Sequence, residues 1–190
     1  MNNLAQISTN FIAEKLFISG TDKEKLLYGF KILYINSLKT IILLLFAFVF
    51  NIIFETTAFI VVYGLIRSFA FGVHLNNSVG CTIYGIAAFL GAIFLSIHLN
   101  INTYLYYVLF LISLMIYIKY APAETKKRHI SDKLSKRLKI KTIVCIIFLA
   151  LVSFYVPNIV YKNLILFAVI LEAFQILPLT YKIFREEEKK

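Results

Sequence analysis

The feature that most constrains this chain is a series of apolar runs long enough to cross a lipid bilayer. A spanning helix needs about 20 mainly apolar residues, and about 17 suffice at the short end. Residues 40–54 are apolar apart from Thr40 and Asn51, and after Glu55-Thr56-Thr57 the run resumes over 58–66. Further apolar segments follow at 82–98, 103–120, 141–157 and 162–180. Together with 38–54 and 57–70 they predict about six transmembrane segments and an all-α, polytopic membrane helical bundle. Composition agrees: 60% of the 190 residues are hydrophobic and the mean hydropathy is +0.81. A soluble domain of this size sits nearer half apolar and has too little interior to hide the excess.

The formal net charge of +10 raises the question of nucleic acid. The basic residues are interleaved with membrane-length runs, however, and lysine and arginine gather in cytoplasmic loops of membrane proteins. No nucleic-acid partner is expected; a basic surface also suits anionic lipid headgroups or an acidic substrate. Residues 119–141 hold seven Lys and two Arg, whereas the 98–102 connection has no charged residue and the 156–163 turn has one Lys. The positive-inside rule puts the 119–141 loop in the cytoplasm. Six spans then place both termini and the polar stretch 67–81 on the same side.

Residues 1–37 read as amphipathic helices lying on the cytoplasmic face. Leu4, Ile7, Phe11 and Leu16 recur at helical spacing, Gly20 interrupts, and Thr21-Asp22-Lys23-Glu24 reads as a capping box opening a second helix. No signal peptide is expected, because Met1 to Phe11 lacks a basic segment followed by a compact apolar core. The chain is one integral membrane domain over 1–190, with the bundle at 38–180 and a short tail at 181–190.

The stretch Arg67 to Cys81, RSFAFGVHLNNSVGC, carries the chemistry-bearing side chains. Polar groups at membrane depth are expensive, so a cluster of them invites a functional reading. A thiol becomes a strong nucleophile as its thiolate, and an imidazole can take the proton. His74 and Cys81 are seven residues apart. On an unbroken helix they would share a face but lie about 10.5 Å apart along the axis, at about 1.5 Å per residue. Hydrogen-bond reach is about 2.6–3.2 Å, so a working pair requires a bend, for which Asn76, Asn77 and Gly80 are suitable. Taken alone, one His ahead of one Cys is a weak signal, and a buried Cys is most often a small hydrophobe. Cys145, set in Ile143-Val144-Cys145-Ile146-Ile147, reads as packing, and nothing suggests a disulfide. Glu172 falls within the last apolar segment, so it must face protein or water rather than lipid. Tyr104, Tyr106, Tyr107, Tyr117 and Tyr120 read as interface anchors. There is no metal-ligand spacing, nucleotide loop or redox pair, and no cofactor is expected.

Arg67, Gly72, His74 and Cys81, followed by Tyr120-Ala121-Pro122-Ala123-Glu124-Thr125-Lys126-Lys127-Arg128, resemble the accessory gene regulator B (AgrB) family. The resemblance covers essentially the whole chain, and the two motifs in order are more specific than either alone. It implies a membrane cysteine endopeptidase of Gram-positive quorum sensing, in the cell membrane with its site on the cytoplasmic side. It further implies that the enzyme processes an AgrD-like precursor into a cyclic autoinducing peptide. The resemblance assigns Cys81 as nucleophile and His74 as its base, with Arg67 and Gly72 in the same motif and Lys126, Lys127 and Arg128 implicated in activity. A homodimer is also what the resemblance suggests. Two departures stand out: many members carry two glycines before the His, where this chain has Phe71-Gly72, and His129 stands where a Pro often sits.

Some roles stay open. Backbone N–H groups around Asn77 to Cys81 are candidates to stabilise an oxyanion; Ser78 is a weaker one, its ordinary role being a turn hydrogen bond. For Lys126, Lys127 and Arg128, holding topology and meeting an acidic precursor tail weigh about equally. A peptide exporter or transporter subunit is the alternative function, although no paired discontinuous helices are evident. A sensor or assembly subunit without chemistry is the third.

Overall fold

Long runs of good helix formers, broken by few glycines and prolines, leave the backbone little choice inside lipid, where its polar groups must be satisfied internally. The computed structural model describes residues 2–72, 78–123 and 131–183, and the elements among them are eight α-helices. The chain divides into two compact units, Met1–Asn51 and Ile52–Lys190.

The first unit is a hairpin of α1 (Asn2–Lys15) and α2 (Gly20–Val49). Ala5, Thr9 and Ala13 form the buried face of α1, spaced four apart. Their small side chains let two helix backbones approach closely. The Thr9 hydroxyl donates to the Ala5 carbonyl at 2.7 Å, and the Ser8 and Tyr34 hydroxyls share a 2.6 Å hydrogen bond between the helices. Leu4, Ile7 and Phe11 occupy the opposite, exposed face, so the expected amphipathic stripe is present. Phe17 adopts a left-handed φ of 53°, and the Ile18 N–H closes the helix on the Ala13 carbonyl at 2.9 Å. That is a Schellman-type stop.

Two expectations for this region are corrected. Thr21 to Glu24 do not form a capping box: Ser19 is the N-cap without a side-chain bond, and Asp22 instead pairs with Lys25 at 2.8 Å. This solvent-exposed lysine holds the Asp22 carboxyl below its usual range. Nor does the helix change at residue 37; α2 runs unbroken for 30 residues, because its polar first half and apolar second half are equally compatible with helical geometry. The break comes at Asn51, with φ 57°, one of the few residue types that tolerate that region.

The second unit holds α3 (Ile53–Ala70), α4 (Ser78–His98), α5 (Thr103–Tyr120), α6 (Asp132–Tyr155), α7 (Ile159–Gln175) and the short α8 (Pro178–Ile183). Glu55-Thr56-Thr57 does not separate two spans. Glu55 sits in the first turn of α3, where a carboxylate suits the helix dipole, and the Thr57 hydroxyl donates back to the Ile53 carbonyl. Asn102 and Asn158 cap α5 and α7 by accepting the Tyr104 and Val160 N–H groups at 2.8 and 2.9 Å. The segment expected at 119–141 as a loop is helical at both of its ends: Lys119 and Tyr120 end α5, and α6 already begins at Asp132. Lysine, arginine and leucine are strong helix formers, so a basic stretch need not be a loop. The run expected at 162–180 is split, because Pro178 cannot continue α7 and opens α8 instead.

Four of the described helices, α2, α3, α5 and α6, are long and apolar enough to cross a membrane; Thr82–His98 of α4 is a shorter apolar helix, and α7 has 17 residues. The fold is thus a helical membrane bundle with four candidate spans where about six were expected. Within the second unit α7 is central. It packs against α3, α4, α5 and α6, and buries Leu164, Ile165, Leu166, Ala168, Val169 and Ala173. Its neighbours also hold it by polar contacts. Tyr117 donates to the Val169 carbonyl at 2.8 Å and Tyr106 to the Lys162 carbonyl at 3.1 Å. Asn163 donates to the Ser96 and Leu99 carbonyls at 3.2 and 2.8 Å. Tyr106 and Tyr117 are therefore core residues rather than interface anchors, whereas Tyr104 is exposed. Cys145 is buried in this core beside Ile146 and Leu149, as a packing residue.

The chain alternates direction through the bundle, which defines two ends. At one lie the starts of α3, α5 and α7, with Lys162 over the Tyr106 and Tyr107 rings. At the other lie the ends of α3, α5 and α7 and the first turns of α4 and α6, with Lys141 over the Phe69 ring. Arg67, Lys119, Lys133, Lys136, Arg137 and Lys139 belong to this second end.

Candidate functional site

Arg67 stands on the last turn of α3, facing α7. Glu172 and Gln175, three residues apart, share one face of α7 and meet it. The Arg67 Nη1 donates to both Glu172 carboxylate oxygens, at 3.2 and 3.1 Å, and to Gln175 Oε1 at 2.9 Å. The Glu172 side chain is wholly inaccessible and that of Arg67 is 19% exposed, so the carboxylate is sealed from lipid. An unpaired carboxylate there would carry a heavy desolvation penalty, which the guanidinium and Gln175 offset. Tyr63, one turn before Arg67, lies against the same carboxylate. The expectation that Glu172 faces protein is met, and its partner is Arg67.

Gly72 closes this cluster. It is buried with φ +129°, and an added Cβ would overlap the Arg67 guanidinium and lie 3.4 Å from the Gln175 carbonyl. Space and backbone conformation both demand glycine. Phe71 ahead of it has φ 59°, in a region where glycine is at ease and other residues carry about 1–3 kcal/mol of strain. The departure from a double glycine thus falls on a backbone that still has glycine's shape.

The turn is held from its other side. The Ala123 N–H donates to the Ala70 carbonyl at 2.9 Å, and Phe71 and Ala123 form a parallel bridge. Gly72 is two residues before His74, and Ala123 is three before Lys126. The described ends of the two sequence motifs, some fifty residues apart in the chain, are therefore side by side. Of the residues singled out from sequence, Arg67 and Gly72 are brought together here. His74, Lys126, Lys127 and Arg128 lie outside the described residues, as does any bend between His74 and Cys81. Ser78 and Cys81 are in α4 by their backbone, and their side chains lie outside the description. Gln175 and Tyr63 were not singled out from sequence. Helical spacing from Glu172 and Arg67 is the signal that points to them.

Fold and site together define an integral membrane protein whose central helix carries a buried carboxylate paired with an arginine from the motif segment. Residues 5–176 match the model of the family described as accessory gene regulator B, and the chain belongs to that family. It is 31% identical over 184 residues to an AgrB-like protein of Clostridium acetobutylicum, covering 96% of this chain and 88% of that one. It is 38% identical over 157 residues to accessory gene regulator protein B of Staphylococcus epidermidis, covering 83% and 80%. The protein of the same name from Staphylococcus intermedius is 33% identical over 155 residues, with 82% of each chain covered. No solved structure matches the chain.

Proposed function

We propose that this protein is a membrane-embedded cysteine endopeptidase. It removes the C-terminal tail of a quorum-sensing precursor peptide of the AgrD type and promotes closure of the remaining core into a ring. Family membership with His74, Cys81 and the basic motif all retained supports the reading. The observation that carries it is the juxtaposition of the two motif ends, Gly72 and Ala123, at one end of the bundle. That end is rich in lysine and arginine, so it is the cytoplasmic one, where a newly made precursor arrives.

The chemistry runs as two acyl transfers. His74 takes the Cys81 proton, and the thiolate attacks the carbonyl that joins core to tail. The C–N bond breaks, His74 returns the proton to the leaving amine, and the core remains as a thioester on Cys81. An internal Cys or Ser of the core then attacks, a thiolactone or lactone closes, and Cys81 regains its thiol. Cys81 falls at the fourth position of α4, where the helix dipole favours an anion. Thioester exchange is nearly balanced, but making a thioester from a peptide bond is uphill. Removal of the tail or the ring must draw the reaction on, and exclusion of water protects the acyl-enzyme. Lys126, Lys127 and Arg128 meet the acidic tail.

The test is cleavage of an AgrD-type precursor by the full-length protein in liposomes. Cys81→Ala and His74→Ala should each abolish cleavage with the protein still inserted, and Cys145→Ala should retain it. Unchanged cleavage in either dyad variant, or peptide transport without cleavage, would sink the reading.

A further inference from the structure

We propose that Glu172 is a positioning residue. Acting through Arg67, it holds the Phe71–Gly72 turn in register with Ala123, and so sets the departure points of the His74 and Lys126 segments. The consequence for catalysis rests on the peptidase reading above; the positioning itself does not.

The argument starts from what the pair is not needed for. Apolar side chains already join α3 to α7, with Phe59, Ile66, Ala168 and Val169 all wholly buried. A buried ion pair adds little to such packing, because desolvation of two charges consumes much of their attraction, and apolar replacements often do as well. What apolar residues cannot supply is direction. Arg67 Nη1 is fixed by three oxygens of α7, and the Gly72 backbone folds so closely over the guanidinium that no side chain fits. The next residue back, Phe71, is held at a positive φ and bridged to Ala123. Position is thus handed on from carboxylate to guanidinium, from guanidinium to turn, and from turn to Ala123. Arginine is long and rotatable. Without the carboxylate its head would lose two of the three α7 oxygens that fix it, and the turn would lose the surface it rests on. Glu172 belongs to a helix more than a hundred residues further on, and Arg67 is the link by which it reaches the turn.

The experiment uses the full chain in liposomes, with two variants. Glu172→Gln keeps the shape and one acceptor oxygen but removes the charge. Arg67→Met with Glu172→Met removes both charges and preserves folding where single loss would not. The first readout needs no activity: with Cys81→Ala and Cys145→Ala in place, Phe71→Cys and Ala123→Cys report the bridge by their rate of disulfide formation, which is strict in geometry. We expect both variants to slow that rate about fivefold or more. The second readout is precursor cleavage with Cys81 restored and no introduced cysteines. Here kcat should fall about tenfold or more with KM within about twofold, since misplacement affects the reacting geometry rather than binding. A purely structural pair would instead let the double Met variant, folded as the parent, keep its kcat. Either readout staying within about twofold of the parent in both variants overturns the proposal. If the parent itself does not cleave, the peptidase reading fails, and the disulfide rate alone decides the role of Glu172.

Discussion

Along α2, 30 residues from Gly20 to Val49, only Leu43 and Ala47 are buried, whereas α7 buries nine of its 17 residues. Both helices would pass as apolar segments in a hydropathy reading. They differ in where polar residues fall. From Leu38 to Val49 the only polar side chains of α2 are Lys39 and Thr40 near its start, and the side chains that follow, such as Leu45 and Phe48, are mostly exposed. In α7 Lys162 likewise lies near the start, but Asn163, Glu172 and Gln175 are all buried, and each is hydrogen-bonded to a neighbouring helix. In lipid, apolar surface gains nothing by turning inward, since acyl chains are as apolar as leucine. A charged or amide side chain gains a great deal. Polar residues inside an apolar segment therefore mark the face that meets protein.

That contrast can be broken by measuring unfolding in mixed micelles. The largest effect belongs to Glu172→Ala, which takes the buried carboxylate away from the Arg67 guanidinium and should cost about 3–5 kcal/mol. A loss below about 1 kcal/mol would mean that water reaches the pair. Asn163→Ala removes two donated hydrogen bonds to α4 and its following residue, and should cost about 1 kcal/mol, the scale of interhelical hydrogen bonds in membranes. Leu45→Ala, on the exposed face of α2, should change stability by less than about 0.5 kcal/mol. Should it cost as much as Asn163→Ala, α2 is covered by protein and the contrast collapses.

The apolar segments were legible in the sequence because the solvent dictates them: most of each expected run is helical, and the one at 103–120 coincides with α5. Polar punctuation misled where a helix could absorb it. Glu55 reads as an interruption in a hydropathy profile, yet a helix N-terminus is a good place for a carboxylate. The basic stretch from Asp132 to Lys141 read as loop for the same reason, since topology rules count charges and ignore propensity. At the site, burial cost alone required Glu172 to face protein or water, and a motif resemblance marked Arg67 and Gly72. That these three meet was not legible, because contacts between positions 105 apart leave no local periodicity. Tyr106 and Tyr117 were misplaced likewise: an interface tyrosine and a core tyrosine with a carbonyl partner look alike until the partner helix is known.

The bond between Ala70 and Ala123 has a consequence for biosynthesis. It clasps the base of a loop that leaves with Phe71 and returns at Ala123, with the α4–α5 hairpin between. Chains emerge from the ribosome N-terminus first. The Phe71–Gly72 turn is therefore made early, but Ala123, which bridges to it, arrives some fifty residues later, and the Glu172 carboxylate that meets Arg67 arrives later still. A truncated or stalled chain can carry His74 and Cys81 while lacking the Ala123 and Glu172 contacts of that turn. The turn is complete only once α7 has been made.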